Sequence, residues 1–411
     1  VTSRPSLLLL SNGHGEDVVG ARLARELSAL RPDLDLRAFP TVGPGRAYRG
    51  GPARRVGPLR SLPSEGLTFE RHDVLGADLR AGLIPSTLSQ LRDLRASRPD
   101  VVLAVGDVWI ETLGTLPRAR LRYAVQTLLS VRMAGERRRW GIGAFRERFT
   151  LAERTLLRTA YRRVYLRDEA SAAALRDRGV RQARSLGNPM MDGLDVAPLP
   201  LPLPHGAPGV VLLPGGRGYA TDALRVMLDA LNRLAPVVAA LPWPGDAPPA
   251  VPPGWRADEG PLGGIAWHRD GAVVHVVEGR FEEALAWAGV AIGTSGTAHE
   301  QAAGRGVPVV AFPCGPSYRP SFLARQRRLL GDAVEVVAAD GGAVAEAVRA
   351  LIVRPAERAR RARAGAERMG PAGGGRRVAA DLLADAAEVL DHAADAPNGP
   401  ARVASPSGDS T

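Results

Sequence analysis

The sequence predicts an α/β protein of two doubly wound domains facing each other across a cleft. Short apolar runs alternate with longer amphipathic stretches along most of the chain. The stretch APLPLPLPHGAP, residues 197–208, interrupts that alternation with five prolines in twelve residues. Such a density of proline forms neither helix nor central strand, so it reads as a stiff linker. Beyond it the alternation restarts. Two Rossmann-like halves result, each with a mostly parallel sheet and helices on both sides.

In the first half, 1–196, strands are predicted at Leu7–Leu10, Leu34–Phe39, Val101–Val105, Tyr123–Gln126, Val164–Leu166 and Ala183–Leu186. A helix is predicted over Asp17–Leu30, where Val19, Leu23, Leu27 and Leu30 fall on one face. In the second half, 209–370, strands are predicted at Val210–Leu213, Val237–Ala240, Val273–Val277, Val290–Ile292 and Val307–Phe312. Helices are predicted at Thr221–Leu234, Arg280–Ala288, Ala298–Arg305 and Tyr318–Leu330. Residues 242–264, rich in proline and glycine, read as a loop. A C-terminal helix over 371–393 and a disordered tail over 394–411 complete the expectation.

With 411 residues and 45 % hydrophobic composition, the chain can bury two cores. The formal charge is +11, carried entirely by arginine, which suits an anionic partner. The single cysteine, Cys314, excludes an internal disulfide framework and fits a reducing, cytoplasmic setting. It reads as a small buried hydrophobe beside Gly315-Pro316. The run Leu7–Leu10 is too short for a secretory signal and reads as a buried strand. No apolar run approaches membrane-spanning length, so any membrane contact would be peripheral. Residues 131–163 carry ten Arg against three Glu, interleaved with Trp140, Phe145, Phe149, Leu156 and Leu157. That pattern reads either as a solvated helix face or as a surface that settles on anionic lipid. No helix-turn-helix, zinc or RNA-recognition pattern accompanies it, so nucleic acid is not an expected partner. No metal is expected either: Asp33-Leu-Asp35 leads into a strand, and the seven histidines lack ligand spacing.

Ligands of open α/β sheets bind beyond the carboxyl ends of the strands, which directs attention to four stretches. GTSGTAHEQAAGRG, 293–306, reads as a glycine turn opening a short helix. Its free amides, with the Ser295 and Thr297 hydroxyls and with Gly296 allowing close approach, suit a diphosphate. Glu300 and Gln301 follow one turn in, facing a ribose diol; alternatively Thr297-x-x-Glu300 is a capping box. LLPGGRG, 212–218, places Gly215 and Gly216 where backbone could cradle a phosphate and Arg217 where a guanidinium could neutralise it.

SNGHGEDVVG, 11–20, sets Gly13, His14, Gly15, Glu16 and Asp17 at a strand end. It is not the dinucleotide fingerprint, because Val18 stands where the third glycine is needed, and its acids would repel a pyrophosphate. Glu16 and Asp17 are either dipole-compensating first-turn acids or cleft carboxylates, and His14 is either an exposed turn residue or a general base. Asp107 follows a buried strand as either a helix cap or a cleft residue. Asn188 and Asp192, in LGNPMMDGL just before the linker, read as hinge or cleft residues.

Taken in order, SNGHGEDVVGARLAREL, RPDVVLAVGD, LGNPMMDGL, LLPGGRG and GTSGTAHEQAAGRGVPVV resemble lipid-A-disaccharide synthase and its relatives, over residues 6 to 370. The closest likeness is to the branch of lipid-A-disaccharide-synthase-related proteins. A looser similarity reaches other two-Rossmann-domain (GT-B) glycosyltransferases and nucleotide-sugar 2-epimerases. The resemblance implies a UDP-sugar bound by the C-terminal domain and a lipid or glycolipid acceptor approached by the N-terminal one. It implies no cofactor, and a location in the cytoplasm or on the inner face of the membrane. It sets Ser295, Gly296 and Thr297 on the diphosphate, Glu300 on the ribose, Gly215, Gly216 and Arg217 beside them, and makes Asp107 a catalytic candidate. The chain departs from the synthase in its first loop, where Gly13-His14-Gly15-Glu16-Asp17 replaces Gly-Glu-x-Ser-Gly-Asp, and at Gly216, where the synthase has serine.

Overall fold

A computed structural model describes residues 4–59, 80, 82–127, 129–134, 149–203, 206–215, 218–243, 247–316 and 318–395, and of His14 the backbone. The first sheet begins with β1 (Ser6–Ser11), whose six residues are all buried. A strand covered on both faces needs an unbroken apolar run, and Leu7–Leu10 supplies it. Around it lie β2 (Asp35–Pro40), β3 (Arg54–Arg55), β4 (Val101–Val105), β5 (Leu121–Gln126), β6 (Arg163–Leu166) and β7 (Ala183–Arg184). The order is β3-β2-β1-β4-β5-β6-β7, with each adjacent pair parallel. The order reverses between β1 and β4.

Helix α1 (His14–Leu30) starts three residues before the predicted Asp17. Val19, Leu23 and Leu27 are buried as expected, whereas Leu30 is exposed at the helix end. Along the same half run α2 (Leu83–Ala96), α3 (Val108–Leu113), α4 (Leu151–Ala160) and α5 (Glu169–Arg176).

The second sheet holds β8 (Gly209–Leu213), β9 (Val237–Trp243), β10 (Arg256–Glu259), β11 (Ile265–Arg269), β12 (Ala272–Glu278), β13 (Ala288–Gly293), β14 (Val309–Ala311) and β15 (Val334–Val336). Its order is β10-β11-β12-β9-β8-β13-β14-β15. From β12 to β15 every pair is parallel; β10 and β11 add an antiparallel edge. This order reverses between β8 and β13. The edge corrects the loop expected over 242–264, since β10 lies within it. Every residue of β10 is exposed, so it carries no apolar pattern to be read. The turn joining β11 to β12 is Asp270-Gly271, both at positive φ, a sequence that favours a tight hairpin.

Packed on this sheet are α6 (Ala220–Leu234), α7 (Phe281–Trp287), α8 (Gly296–Gly304), α9 (Pro320–Leu330), α10 (Gly341–Val353) and α11 (Pro355–Met369). The chain then returns to the first lobe as α12 (Gly374–Asp395), which packs along α1. Asp385 accepts from Tyr123 Oη at 2.8 Å, and Asp381 from Tyr165 Oη at 2.8 Å. The prolyl linker is docked as well: Leu199 and Leu201 are buried, and Trp287 Nε1 donates to the Leu201 carbonyl at 3.1 Å. One apolar cluster contains both Leu7 of β1 and Val211 of β8, so the lobes share a continuous core at their junction.

Candidate active site

Each sheet presents a turn where its strand order reverses. In the second lobe, Thr294 joins the two central strand ends: its amide reaches the Leu213 carbonyl at 2.9 Å and its hydroxyl the Pro214 carbonyl at 2.9 Å. Gly215, at φ 80, adopts a left-handed conformation that a side chain would strain, and a Cβ there would lie 3.5 Å from Ser295 Cβ. These bonds bring Gly215 and Ser295 together. Helix α8 opens with no acidic residue in its first turn and no side-chain cap at Ser295. The helix begins at Gly296, ahead of Thr297, so the alternative of a Thr297-x-x-Glu300 capping box is not realised. Helix amides before His299 N–H, the first to bond within the helix, lack intrahelical acceptors and favour an anion.

The first lobe's turn is acidic. Glu16 folds back over Gly13, where a Cβ would come within 2.3 Å of Glu16 Oε2. Its carboxyl is pushed up to about 7, chiefly by burial, with Asp107, Asp17 and Glu300 adding repulsion against the hydrogen bond from its own amide. Asp17 is also buried and raised to about 6 by desolvation, although the Ser11 hydroxyl donates to its Oδ1 at 2.6 Å. It lies inside the lobe, beside Tyr48, whose hydroxyl is 3.0 Å from Ser11 Oγ. That location places Asp17 under the turn rather than in the cleft.

Asp107 takes the helix-cap reading. As the cap of α3, its Oδ1 accepts from the Trp109 and Ile110 amides at 3.0 and 3.4 Å and from Asn12 Nδ2 at 2.9 Å. Burial nevertheless raises its affinity for a proton, and it stands close enough to Glu16 for mutual repulsion. Behind it, Gln126 Nε2 donates to Glu111 at 3.1 Å and to Glu153 at 3.5 Å. Both carboxyls are pushed up, Glu153 to about 8, primarily by burial.

The two turns meet. A Cβ on Gly15 would lie 3.2 Å from Thr297 Oγ1, so the starts of α1 and α8 are in contact range across the junction. Glu300 reaches the other lobe: its Oε2 accepts from Arg167 Nη2 at 2.7 Å, with side chains 10 % and 2 % exposed. Arg167, at the end of β6, also donates to the Thr127 carbonyl at 3.0 Å. The expectation that Glu300 faces a ribose thus meets an oxygen already engaged by arginine. Sequence reasoning missed Arg167; its position just beyond a buried strand's carboxyl end was the available signal.

The donor contact expected of Gln301 is corrected, and of the hinge and cleft readings of Asn188 and Asp192 their bonds fit the hinge. Gln301 Nε2 donates to the Met190 carbonyl at 3.2 Å, the same oxygen that Arg22 Nη1 reaches at 2.9 Å. Asn188 caps the turn Pro189–Met191, its Oδ1 accepting from Met190 N at 3.1 Å. Asp192 accepts from the Gly373, Gly374 and Gly375 amides at 2.6, 3.1 and 2.6 Å, anchoring the start of α12. Their polar groups are used in joining elements. Gly216, Arg217, the His14 side chain and residues 135–148 of the arginine-rich stretch lie outside the described residues.

A cavity of about 760 Å³ opens against the 262–264 turn and the carboxyl end of β12, with Glu278 and Arg280 in its wall. β12, β9, β8 and β13 run parallel, so this cavity lies on the same rim as Thr294–Thr297. Among the described residues, no group of three or more His, Cys, Asp or Glu is arranged to hold a metal ion, and no helix is long and apolar enough to cross a membrane.

No family model and no curated protein matches the sequence. Solved structures do match over nearly the full chain. The calicheamicin glycosyltransferase CalG4 is similar at 18 % identity and TM-score 0.58, covering 94 % of this chain and 99 % of that one. The glycosyltransferase SnogD from Streptomyces nogalater gives 18 % and 0.52, covering 93 % and 99 %. A UDP-GlcNAc 2-epimerase from Neisseria meningitidis, bound to UDP-GlcNAc, gives 14 % and 0.51, covering 92 % and 100 %. The two sheets and their facing turns therefore form the GT-B fold.

Proposed function

We propose that the chain is a glycosyltransferase that moves a sugar from a UDP-sugar to a hydroxyl of a lipid or glycolipid acceptor, with inversion. The observation that carries this reading is the opposition of charge across the cleft: an acid-free helix start meets a turn bearing buried carboxyls. The first stabilises a leaving diphosphate; the second supplies a base. The similar epimerase bound to UDP-GlcNAc supports a UDP-sugar as the donor. The rim cavity stands three strand spacings from β13, about 14 Å, a span suited to an extended nucleotide-sugar.

In this reading the diphosphate lies on Gly296 and Thr297, with Gly215, Gly216 and Arg217 on its other side. Asp107 or His14 takes the acceptor's proton as its oxygen bonds to the sugar's anomeric carbon. The bond from that carbon to phosphate breaks, and UDP leaves with the electron pair. The transition state has oxocarbenium character, and charge developing on the leaving oxygen meets preorganised amides without requiring a metal. Glu16, whose carboxyl burial pushes up to about 7, joins the candidates for the base. The lipid-A-disaccharide-synthase likeness points to a lipid acceptor. The arginine-rich stretch 131–163 is read as the membrane-facing segment; of its described residues Leu151 is 72 % exposed, while Phe149 and Leu157 are buried. The cytoplasmic face of the membrane is the corresponding location.

The second reading is a UDP-sugar 2-epimerase, favoured by the same neighbour. A thermal-shift screen of nucleotides and UDP-sugars, followed by incubation of the best donor with lipid extract, separates them. Transfer predicts UDP release coupled to a new glycolipid. Release of a 2-epimer without acceptor would replace that reading with the epimerase, and binding without turnover would leave a nucleotide-binding relative.

A further inference from the structure

Beneath the Ser295–Thr297 turn lies a ring of side chains that the proposed chemistry does not use. His299, Tyr318 and Gln326 are 0 %, 1 % and 2 % exposed. Their contacts form one connected set. Gln326 Nε2 donates to the Gly296 carbonyl at 2.9 Å, which turns Oε1 the other way. That oxygen accepts from the Tyr318 hydroxyl at 2.8 Å. Tyr318 Oη also stands 2.6 Å from His299 Nδ1. Nδ1 also stands 3.2 Å from Gln326 Oε1. On the other side of the ring, Nε2 stands 3.4 Å from the Ser295 amide, and the ring also meets the Gly293 backbone. Burial holds the ring neutral, with its pKa pushed down to about 4.

The circuit starts at the Ser295 amide and closes on the Gly296 carbonyl, so it fixes both sides of the residue that opens α8. Phe322 adds a steric stop, since a Cβ on Gly296 would lie 3.0 Å from its Cζ. Because Ser295 N–H is turned inward, the amides left for an anion are those of Gly296, Thr297 and Ala298, which precede the first intrahelical bond at His299.

We propose that His299, Tyr318 and Gln326 are positioning residues that aim these three amides at the terminal phosphate of a nucleoside diphosphate, and so set a preference for diphosphate over monophosphate. The inference rests on the donor-site reading above. It is tested by calorimetry of the full chain with UDP, UMP and uridine, comparing wild type with Tyr318→Phe, which keeps the ring and removes the hydroxyl, and Gln326→Glu, which removes the donor to Gly296. The expected result is a fall of about tenfold in the UDP-over-UMP preference, the scale of one charge-assisted hydrogen bond, with UMP and uridine affinities unchanged within about twofold. Retention of the wild-type preference in folded variants, or equal loss of all three ligands, overturns it; the latter would mark a structural role alone. If Tyr318→Phe does not fold, Gln326→Glu carries the same test. Wild-type protein that binds UDP no better than uridine would instead remove the donor-site reading, and this inference with it.

Discussion

The two reversal points occupy equivalent places in their sheets and are built from opposite chemistry. At the end of β1 and β4 stand Glu16, Asp17 and Asp107, all with proton affinities raised by burial. At the end of β8 and β13 stand glycine, serine and threonine, and the nearest buried titratable ring, His299, is held neutral. Equivalent topology therefore does not imply equivalent ligands. Backbone geometry creates an anion-binding helix start in both lobes, and the first-turn side chains decide whether an anion can use it. In the first lobe, Glu16 occupies that position itself.

The strongest way to break the comparison is to remove charge from one side only. Asp107→Asn keeps an effective helix cap, because asparagine caps as well as aspartate. If Asp107 is the base, turnover should fall by about 10²–10⁴-fold while UDP affinity stays within about twofold. Steady-state kinetics together with calorimetry read both quantities. Unchanged turnover would pass the role to His14 or Glu16.

The Arg167–Glu300 pair is the next largest lever, because it joins the acidic lobe to the neutral one. Arg167→Ala leaves a buried carboxylate without its partner, and the expected loss is about 3 kcal/mol of stability by denaturant unfolding. Replacing both by hydrophobic residues should restore much of that loss. A loss below about 1 kcal/mol would mean that the pair is solvated and the lobes are open at this point.

A pH titration sharpens the acidic side. Between about pH 4.5 and 7 the folded chain retains a proton on Glu16 that the unfolded chain has released. Stability attributable to this group is therefore highest below pH 4.5 and falls as pH rises toward 7, by about 3 kcal/mol. The difference between wild type and Glu16→Gln isolates it from Asp17 and Glu153, which titrate in neighbouring windows. Glu16→Gln should gain on wild type by that amount between pH 4.5 and 8; parallel curves would place Glu16 in water.

The architecture was legible because it rests on period and punctuation. Unbroken apolar runs such as Leu7–Leu10 identify strands covered on both faces, and the 197–208 prolines separate the two sheets. β10 was hidden because all four of its residues are exposed. The turns themselves were legible as glycine clusters at strand ends. What they touch was not: the Arg167–Glu300 pair spans 133 residues, and the contact between Gly15 and Thr297 depends on how two helix starts meet. Gln301, with the cleft alternative for Asn188 and Asp192, shows the converse error. Polar residues near a glycine turn look functional until packing supplies each with a backbone partner.

The smallest expected effect tests the Gly15–Thr297 contact directly. Gly15 lies in the first turn of α1 without a positive φ, so alanine is compatible with its backbone. In an unobstructed helix, Gly15→Ala would add up to about 1 kcal/mol of stability. Here its methyl would stand 3.2 Å from Thr297 Oγ1, so the opposite turn must yield by a few tenths of an ångström. The two effects should nearly cancel, leaving a net change below about 0.5 kcal/mol by denaturant unfolding, while Gly15→Ala combined with Thr297→Ala recovers the full helix gain. The combination discriminates because both variants change the same contact. A full gain from Gly15→Ala alone would mean that the acidic and neutral turns stand farther apart in solution, with room for a ligand before any closure.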